Sequence, residues 1–345
     1  MNNRKILIIT HSKDNGCIEQ VSSFLGEKGA DVIRFDVDRY PLHTSMVSRY
    51  INGQWNTWLI SDGQTYSLDK LDAIWYRRAY GIGSDLEALL DKRFLQATQG
   101  ELRHTLIGMV EGQKCFILTP PSWYRRMDSK ELQLKAAIQS GLQIPPTCIT
   151  NDPDTVRSFA SEIGFPLVVK MQSSFAICGP QGDEVVYTSL LTEGHLDELD
   201  SLKYCPMMVQ KQLTKAHELR VTVVGEAIFA FRVDSQSEEE GRVDWRKAGK
   251  QLLHQWQPTE LPAELQTSIL TLMGHLGLWY GAIDLIYTPS GEYCFLEVNA
   301  AGEYFWLDRL CGHRISQSIA DLLFDPPQFN GKVRKALVEK NGAHV

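Results

Sequence analysis

The chain has 345 residues, 43% of them hydrophobic and 22% charged, and a formal net charge of −7. It is long enough for two or three lobes with cores of their own, and an acidic balance without a long basic block argues against nucleic acid as the main partner. No apolar run is as long as a bilayer span and residues 1–5 lead into a short strand instead of a signal peptide, which with seven scattered cysteines and no C-x-x-C pair indicates free thiols in a reducing cytoplasm, no membrane partner, no disulfide framework and no zinc site.

In chain order, Lys5–Thr10 is a short apolar run that fits a buried strand, and 16–28 follows with Ile18, Val21 and Leu25 at helical spacing. Gly29 ends that helix and Asp31–Asp36 reads as a second strand, a β-α-β opening with a parallel pair. The loop Thr10–Gly16 lacks both phosphate-loop glycine spacings and reads as a plain surface loop. Residues 44–60 alternate as strands around Asn52-Gly53, a hairpin signal. Ala73–Arg78 is a strand running into Arg77 and Arg78, which either face a cleft and hold an acidic substrate or are exposed arginines at a strand end. Residues 85–111 read as one long helical stretch.

Pro120-Pro121 marks a boundary. Beyond it the spacing predicts a helix from Lys130 to Ser140, a strand over 144–149, a helix over 154–163 and a strand from Gly164 to Lys170. A Ser- and Gly-rich loop follows at 172–184, then a strand over 184–191, an acidic helix Glu193–Asp200 and a strand Met207–Leu213. Strands at 218–224 and 227–233, a polar loop over 235–250 and a helix over 262–277 lead to a hairpin, Gly281–Tyr287 and Tyr293–Asn299, joined at Pro289–Gly291. A helix over 313–324 follows, and the tail from Gly331 reads as loosely ordered.

That hairpin carries Asp284 on one strand and Glu297 and Asn299 on the other. Alternation turns Glu297 and Asn299 the same way; if pairing sets Asp284 opposite them, two carboxylates and an amide form a hard-oxygen set suited to Mg²⁺ beside phosphates. A solvated strand face is the alternative. Lys130 and Lys170 precede it as point charges for phosphates, the strand over 207–213 offers backbone groups to an adenine edge, and Glu218 suits ribose hydroxyls. Each piece alone is weak; their order is specific. His11, His217 and His313 have no triad partner in this pattern and read as structural.

The pieces Phe165–Lys170, Val209–Leu213, Glu218–Gly225 and Asp284 with Glu297–Asn299 resemble the ATP-grasp superfamily. Within it the chain is similar to peptide maturases of the microviridin (graspetide) type, through Phe35–Pro41, Ile74–Arg78 and Gly302–Leu307, over roughly residues 4–325. The resemblance implies an α/β fold of α+β lobes: a pre-ATP-grasp β-α-β domain (1–119), a central ATP-grasp lobe (120–206), a C-terminal ATP-grasp lobe (207–330) and a tail (331–345).

It also implies ATP and Mg²⁺, with two ions, as cofactors. Lys130 and Lys170 would hold the phosphates, Gln210 with the backbone of Lys211 and Leu213 the adenine, Glu218 the ribose, and Asp284, Glu297 and Asn299 the metal. Arg220 and Arg246 would carry positive charge near the γ-phosphate or acyl-phosphate. The implied partner is a ribosomal precursor peptide, leader plus core, met by a homodimer. Arg77, Arg78, Glu193, Asp197 and Glu198 are the candidate peptide contacts, the last three on an acidic helix that also reads as a solvated face. The loop 172–184 is a candidate lid.

Two departures narrow the reading. Where many amino-acid and small-peptide ligases follow the metal Asn with Ser-Pro-Gly, this chain has Ala300, Ala301 and Gly302, and where other small-molecule ligases place an arginine two residues before the metal Asp it has Ala282. Both favour a bulkier acceptor. The expected reaction activates Asp or Glu side chains as acyl-phosphates and closes ω-ester or ω-amide crosslinks with Ser/Thr or Lys. The alternatives are a ligase that adds amino acids to a peptide or protein terminus and a non-catalytic nucleotide-binding scaffold.

Overall fold

A computed structural model describes residues 3–172, 176–179, 182–185 and 187–327. They form two compact units, the first running to Arg125 and taken up again from Glu303, the second spanning Arg126–Gly302. The expected lobe over 207–330 is therefore divided at Gly302.

In the first unit the apolar runs give a four-stranded parallel sheet in the order Asp31–Asp36, Lys5–Thr10, Ala73–Tyr76, Phe116–Leu118. Leu7 and Ile9 face a cluster with Leu106, Met109 and Val110 of the helix Lys92–Glu111, while Ile6 and Ile8 are equally buried. A strand covered on both faces needs a continuous apolar run, and Lys5–Thr10 supplies one. The helices Cys17–Glu27 and Arg314–Phe324 pack on each other.

A three-stranded antiparallel sheet, Thr44–Ile51, Gln54–Ser61 and Gln64–Ser67, completes the unit. Asn52 and Gly53 both have positive φ (52° and 80°), as a two-residue hairpin turn requires. Asp62 and Gly63 repeat that geometry and add the third strand. The stretch read as one helix over 85–111 is divided: a 3-10 turn Ser84–Ala88, then Asp91 accepting from the Arg93 amide at 2.9 Å to cap the helix proper.

The second unit holds two larger antiparallel sheets beside a two-stranded one. The smaller is ordered Ser189–Leu191, Leu167–Lys170, Met207–Lys211, Thr147–Thr150. The larger is ordered Gln257–Pro258, Ala227–Val233, His217–Val224, Tyr280–Tyr287, Tyr293–Asn299. Helix Ala263–Leu276 lies against the latter, where a Cβ on Gly281 would come within 3.0 Å of the Met273 methyl.

Several expectations change here. The stretch 172–184 contains a hairpin, Ala176–Gly179 with Gly182–Val185, so it is not simply a loop, and the strand expected over 184–191 is two strands. Its residues 173–175, 180 and 181 lie outside the described residues, as does the tail from 331. The polar stretch 235–250 contains a helix, Trp245–Leu252, kinked at Gly249 (φ 40°). The acidic helix is a 3-10 helix, Glu193–Tyr204, whose Leu196, Leu199 and Leu202 repeat every third residue and pack inward. Among the described residues no helix is long and apolar enough to cross a membrane.

Candidate active site

A cleft in the second unit is lined by Lys130, Lys170, Gln210, Lys211, Leu213, Glu218, Arg246, Asp284 and Glu297. These come from a helix start, five sheet strands, the segment after one of them and a helix N-terminus, scattered over 168 positions, so convergence is a product of the fold. Arg220 reaches the cleft through Asp284: its Nη1 is shared between the two carboxylate oxygens at 2.8 and 3.0 Å. Asn299 stands apart at the strand end, exposed, with its Oδ1 accepting from the Ala301 amide at 2.9 Å.

Glu297 lies directly across from Asp284, but only because of a β-bulge. From the turn the register runs Tyr287 with Tyr293, Ile286 with Cys294 and Leu285 with Phe295. The next regular pair would set Leu296 against Asp284. The bulge adds that residue to the second strand and brings Glu297 opposite instead. Among the described residues no cluster of three or more His, Cys, Asp or Glu is placed to hold a metal, and Asn299 does not line the cleft.

Cations balance the pair. Lys130 donates to Glu297. Burial would raise the Glu297 carboxyl, but Lys130 with Lys170 and Arg246 outweighs it and holds it at about 2. Burial pushes Asp284 the other way, up, against the pull of Arg220 and with Glu297 reinforcing the rise. Burial also lowers the Lys170 amine, opposed by Glu297 and Asp244. The opposite directions follow from unequal company: Glu297 has the lysines and Arg246 beside it, and its negative charge in turn disfavours ionisation of Asp284.

At the other end of the cleft Gln210 is 1% exposed. Its Nε2 donates to Thr147 Oγ1 at 2.9 Å, and its Oε1 is buried with no partner among the described residues. Whichever way the amide is turned, one end is left for a group in the cleft, which fits an adenine edge. The Lys211 side chain turns away: Nζ donates to the carbonyls of Gly164 and Phe165 at 3.0 and 2.8 Å, so only its backbone is offered. Glu218 is paired with Lys215 at 2.8 Å, both nearly buried, and burial raises the Glu218 carboxyl against that pairing.

Arg246 sits at the start of the helix that the polar stretch concealed. Asp244 caps that helix and grips Arg246 through Nε (2.8 Å) and Nη2 (2.5 Å), which drives the guanidinium further toward its charged form. Lys215 and Asp244 also line the cleft and were not identified from the sequence. An Asp two residues ahead of a basic, helix-forming run is an N-cap signal that would have found the second.

The candidate peptide contacts divide. Arg77 is 2% exposed and bound within the first unit: Nε reaches Asp14 at 3.0 Å and Nη2 reaches both Glu303 oxygens at 3.1 and 3.0 Å. Arg78 also donates to Glu303, and Asn15 Nδ2 donates to it at 2.6 Å. Thr10–Gly16 is therefore no plain surface loop; with the side chain of Asp14 fully buried it anchors this ion cluster. Glu193, Asp197 and Glu198 are exposed on the 3-10 helix, and Glu198 borders a groove whose walls include Leu190, Leu191, Leu199 and Met207. His313 Nδ1 lies 3.2 Å from Asp308 Oδ2, a structural contact at a helix start.

Comparison with known proteins bears on this geometry. Residues 5–125 match the family model described as MvdD pre-ATP grasp domain, and residues 127–323 that of the RimK-like ATP-grasp domain. A RiPP-associated ATP-grasp ligase from Chryseobacterium gregarium, solved with ADP and a leader and core peptide, is 46% identical over 96% of this chain and 98% of its own, with a TM-score of 0.91. Macrocyclase MdnC from Microcystis aeruginosa, bound with precursor peptide MdnA, is 38% identical over 94% of this chain and 100% of its own (TM-score 0.85). Macrocyclase MdnB from the same organism is 33% identical over 93% and 99% (TM-score 0.77). No curated protein sequence matches the chain significantly.

Proposed function

The chain belongs to the RimK-like ATP-grasp ligases that carry an MvdD-type pre-ATP-grasp domain, and from that premise we propose that it crosslinks a ribosomally made precursor peptide at the expense of ATP. The observation that carries the reading is the cleft in which Lys130, Lys170 and Arg246 surround Asp284 and Glu297, with the unpartnered Oε1 of Gln210 at its far end.

A carboxylate does not react with an alcohol or amine at neutral pH until its oxygen is made a leaving group. A side-chain carboxylate of the peptide attacks the γ-phosphorus of ATP, the bond to the bridging oxygen breaks, and ADP leaves. Lys130, Lys170, Arg220 and Arg246 offset the charge that spreads over the transferred group, so catalysis is positioning and electrostatics. A Ser/Thr hydroxyl or Lys amine then attacks the acyl carbon and loses its proton as phosphate departs, leaving an ω-ester or ω-amide. The carboxylate pair with Asn299 fits Mg²⁺, one or two ions, which would neutralise phosphate charge when bound. Glu218 accepts from ribose hydroxyls, and Gln210 with the Lys211 and Leu213 backbone meets the adenine.

In the same reading the precursor's leader docks along the groove beside Glu193, Asp197 and Glu198, whose apolar walls and acidic rim suit a segment with aromatic and basic residues. The protein works as a cytoplasmic homodimer, which light scattering of the purified chain tests.

The deciding experiment incubates the enzyme, ATP and Mg²⁺ with a leader-plus-core peptide from a short reading frame beside the gene. Loss of one water per crosslink with matching ADP release is the expected result. A gain of one residue mass would identify a terminus-extending ligase instead, and peptide-independent silence would leave a nucleotide-binding scaffold.

A further inference from the structure

After Asn299 the chain folds back on its own sheet. The Gly302 amide donates to the Asn299 carbonyl at 3.1 Å, and the Tyr280 hydroxyl donates to the Gly302 carbonyl. Gly302 does not adopt the left-handed backbone that would call for glycine, so conformation is not the reason for it; space is. A Cβ there would stand 2.3 Å from Ala282 Cβ, 2.8 Å from Arg220 Nη2 and 3.2 Å from the Asn299 carbonyl oxygen. Ala282 is fixed, paired with Thr222 on one side and Asn299 on the other. Arg220 Nη2, the far end of a long side chain, is the atom able to yield.

Arg220 is 6% exposed and its two terminal nitrogens meet different neighbours. Nη1 is shared by the Asp284 oxygens, and Nη2 lies against Gly302. We propose that Gly302 is a positioning residue for the γ-phosphate end of the nucleotide: with Ala282 it forms a notch one methyl deep that fixes the direction of the Arg220 guanidinium. This rests on the ligase reading, in which Arg220 serves the transferred phosphoryl group. The notch also accounts for a small residue at 282, since a longer side chain would strike the 299–302 turn. The small residue at 282 and the glycine at 302 then act as one unit, the space beside Ala282 being taken by the turn that orients Arg220.

A packing role and a positioning role separate in a paired substitution. Gly302→Ala should lower the melting temperature and weaken Mg-AMPPNP about tenfold by calorimetry, the loss of one charged hydrogen bond, with Mg-ADP changed less than about twofold. Adding Ala282→Gly removes the 2.3 Å contact but leaves the new methyl against Arg220. The double variant should regain most of the melting temperature and still bind AMPPNP weakly. All titrations are run below the onset of melting of the least stable variant, with Ala282→Gly alone as control. AMPPNP affinity that recovers with the melting temperature, equal weakening of both nucleotides, or an unchanged single variant would each overturn the proposal. A wild-type protein that binds neither nucleotide would instead sink the ligase reading beneath it.

Discussion

Lys130 is ion-paired with Glu297, 167 residues further along the chain. The pair joins the first residue of helix Lys130–Gln139 to the outer strand of the larger sheet, Tyr293–Asn299. It means that a cation suited to phosphate and an anion suited to Mg²⁺ hold each other. Polyphosphate and Glu297 therefore compete for Lys130, and the competition has a sign. Glu297→Gln should leave metal-free ADP binding unchanged or tighter, because a competing anion is gone, while ligation falls at least about 100-fold. Calorimetry with EDTA and ADP release with Mg²⁺ measure the two halves. Metal-free ADP binding that weakens would contradict the competition.

The Asp14–Arg77 pair sets a pH dependence. Burial would raise the Asp14 carboxyl, but Arg77, Thr10 and the Asn15 amide bring it below its usual value of 3.8. A folded-state value below the unfolded one gives stability that is complete above that unfolded value and is lost as pH falls through the folded one. In Arg77→Leu burial is opposed, among the described residues, only by Arg78, 3.7 Å away, and by the Thr10 and Asn15 hydrogen bonds, so Asp14 shifts upward and the variant's deficit shrinks as acid protonates that carboxyl. The cost at pH 7 should be about 3–5 kcal/mol, as for a buried pair with one partner removed. Urea unfolding at pH 7, 5 and 4 should show the gap between the two proteins closing toward acid; a constant gap would rule the pairing out as its cause.

How far the sequence speaks for the fold depends on whether a feature is local. Alternation and turn residues suffice for the hairpin of Asp284 and Glu297, and the apolar run Lys5–Thr10 suffices for a central parallel strand. The bulge that sets Glu297, and not Leu296, opposite Asp284 has no local signature, since either register buries apolar residues. Asp14 is a second case. Nothing in Thr10–Gly16 marks it, but the loop leaves the carboxyl end of a parallel strand beside the one that delivers Arg77, where side chains of neighbouring strands converge. Asp244 and the Asp62–Gly63 turn are different: both carried usable cap and turn signals. Gly249 inside the helix and the polar composition around it obscured the first.

The acidic 3-10 helix tests the docking surface. Leu196, Leu199 and Leu202 take one of its three faces inward, which leaves Asp197 and Glu198 on the other two. Reversing both, Asp197→Lys with Glu198→Lys, should weaken binding of a basic leader about tenfold or more while ADP affinity stays the same, since neither residue lines the nucleotide cleft. Fluorescence anisotropy of a labelled precursor at two salt concentrations measures it. Equal affinity for the wild type and the double variant would remove this surface from the reading.

Gln133 supports the metal strand from behind. It is 1% exposed; its Nε2 donates to the Met127 carbonyl at 2.5 Å and its Oε1 accepts from the Val298 amide at 2.8 Å. Val298 lies between Glu297 and Asn299 on the outer strand of the larger sheet, so its outward amide would otherwise be an unpaired edge group. Lys130 is one turn earlier on the same helix, on the same side. In the proposed reading Gln133 keeps that helix registered to the strand when Lys130 exchanges Glu297 for phosphate. Gln133→Leu strands one buried donor and one buried acceptor, at about 1–3 kcal/mol each. Both the melting temperature and the apparent ATP affinity should fall, whereas Glu131→Gln on the exposed side of the helix should change neither, its only ion pair among the described residues being the exposed one with Lys135. A Gln133→Leu protein with wild-type melting would show that Val298 finds another partner and that the registration lies elsewhere.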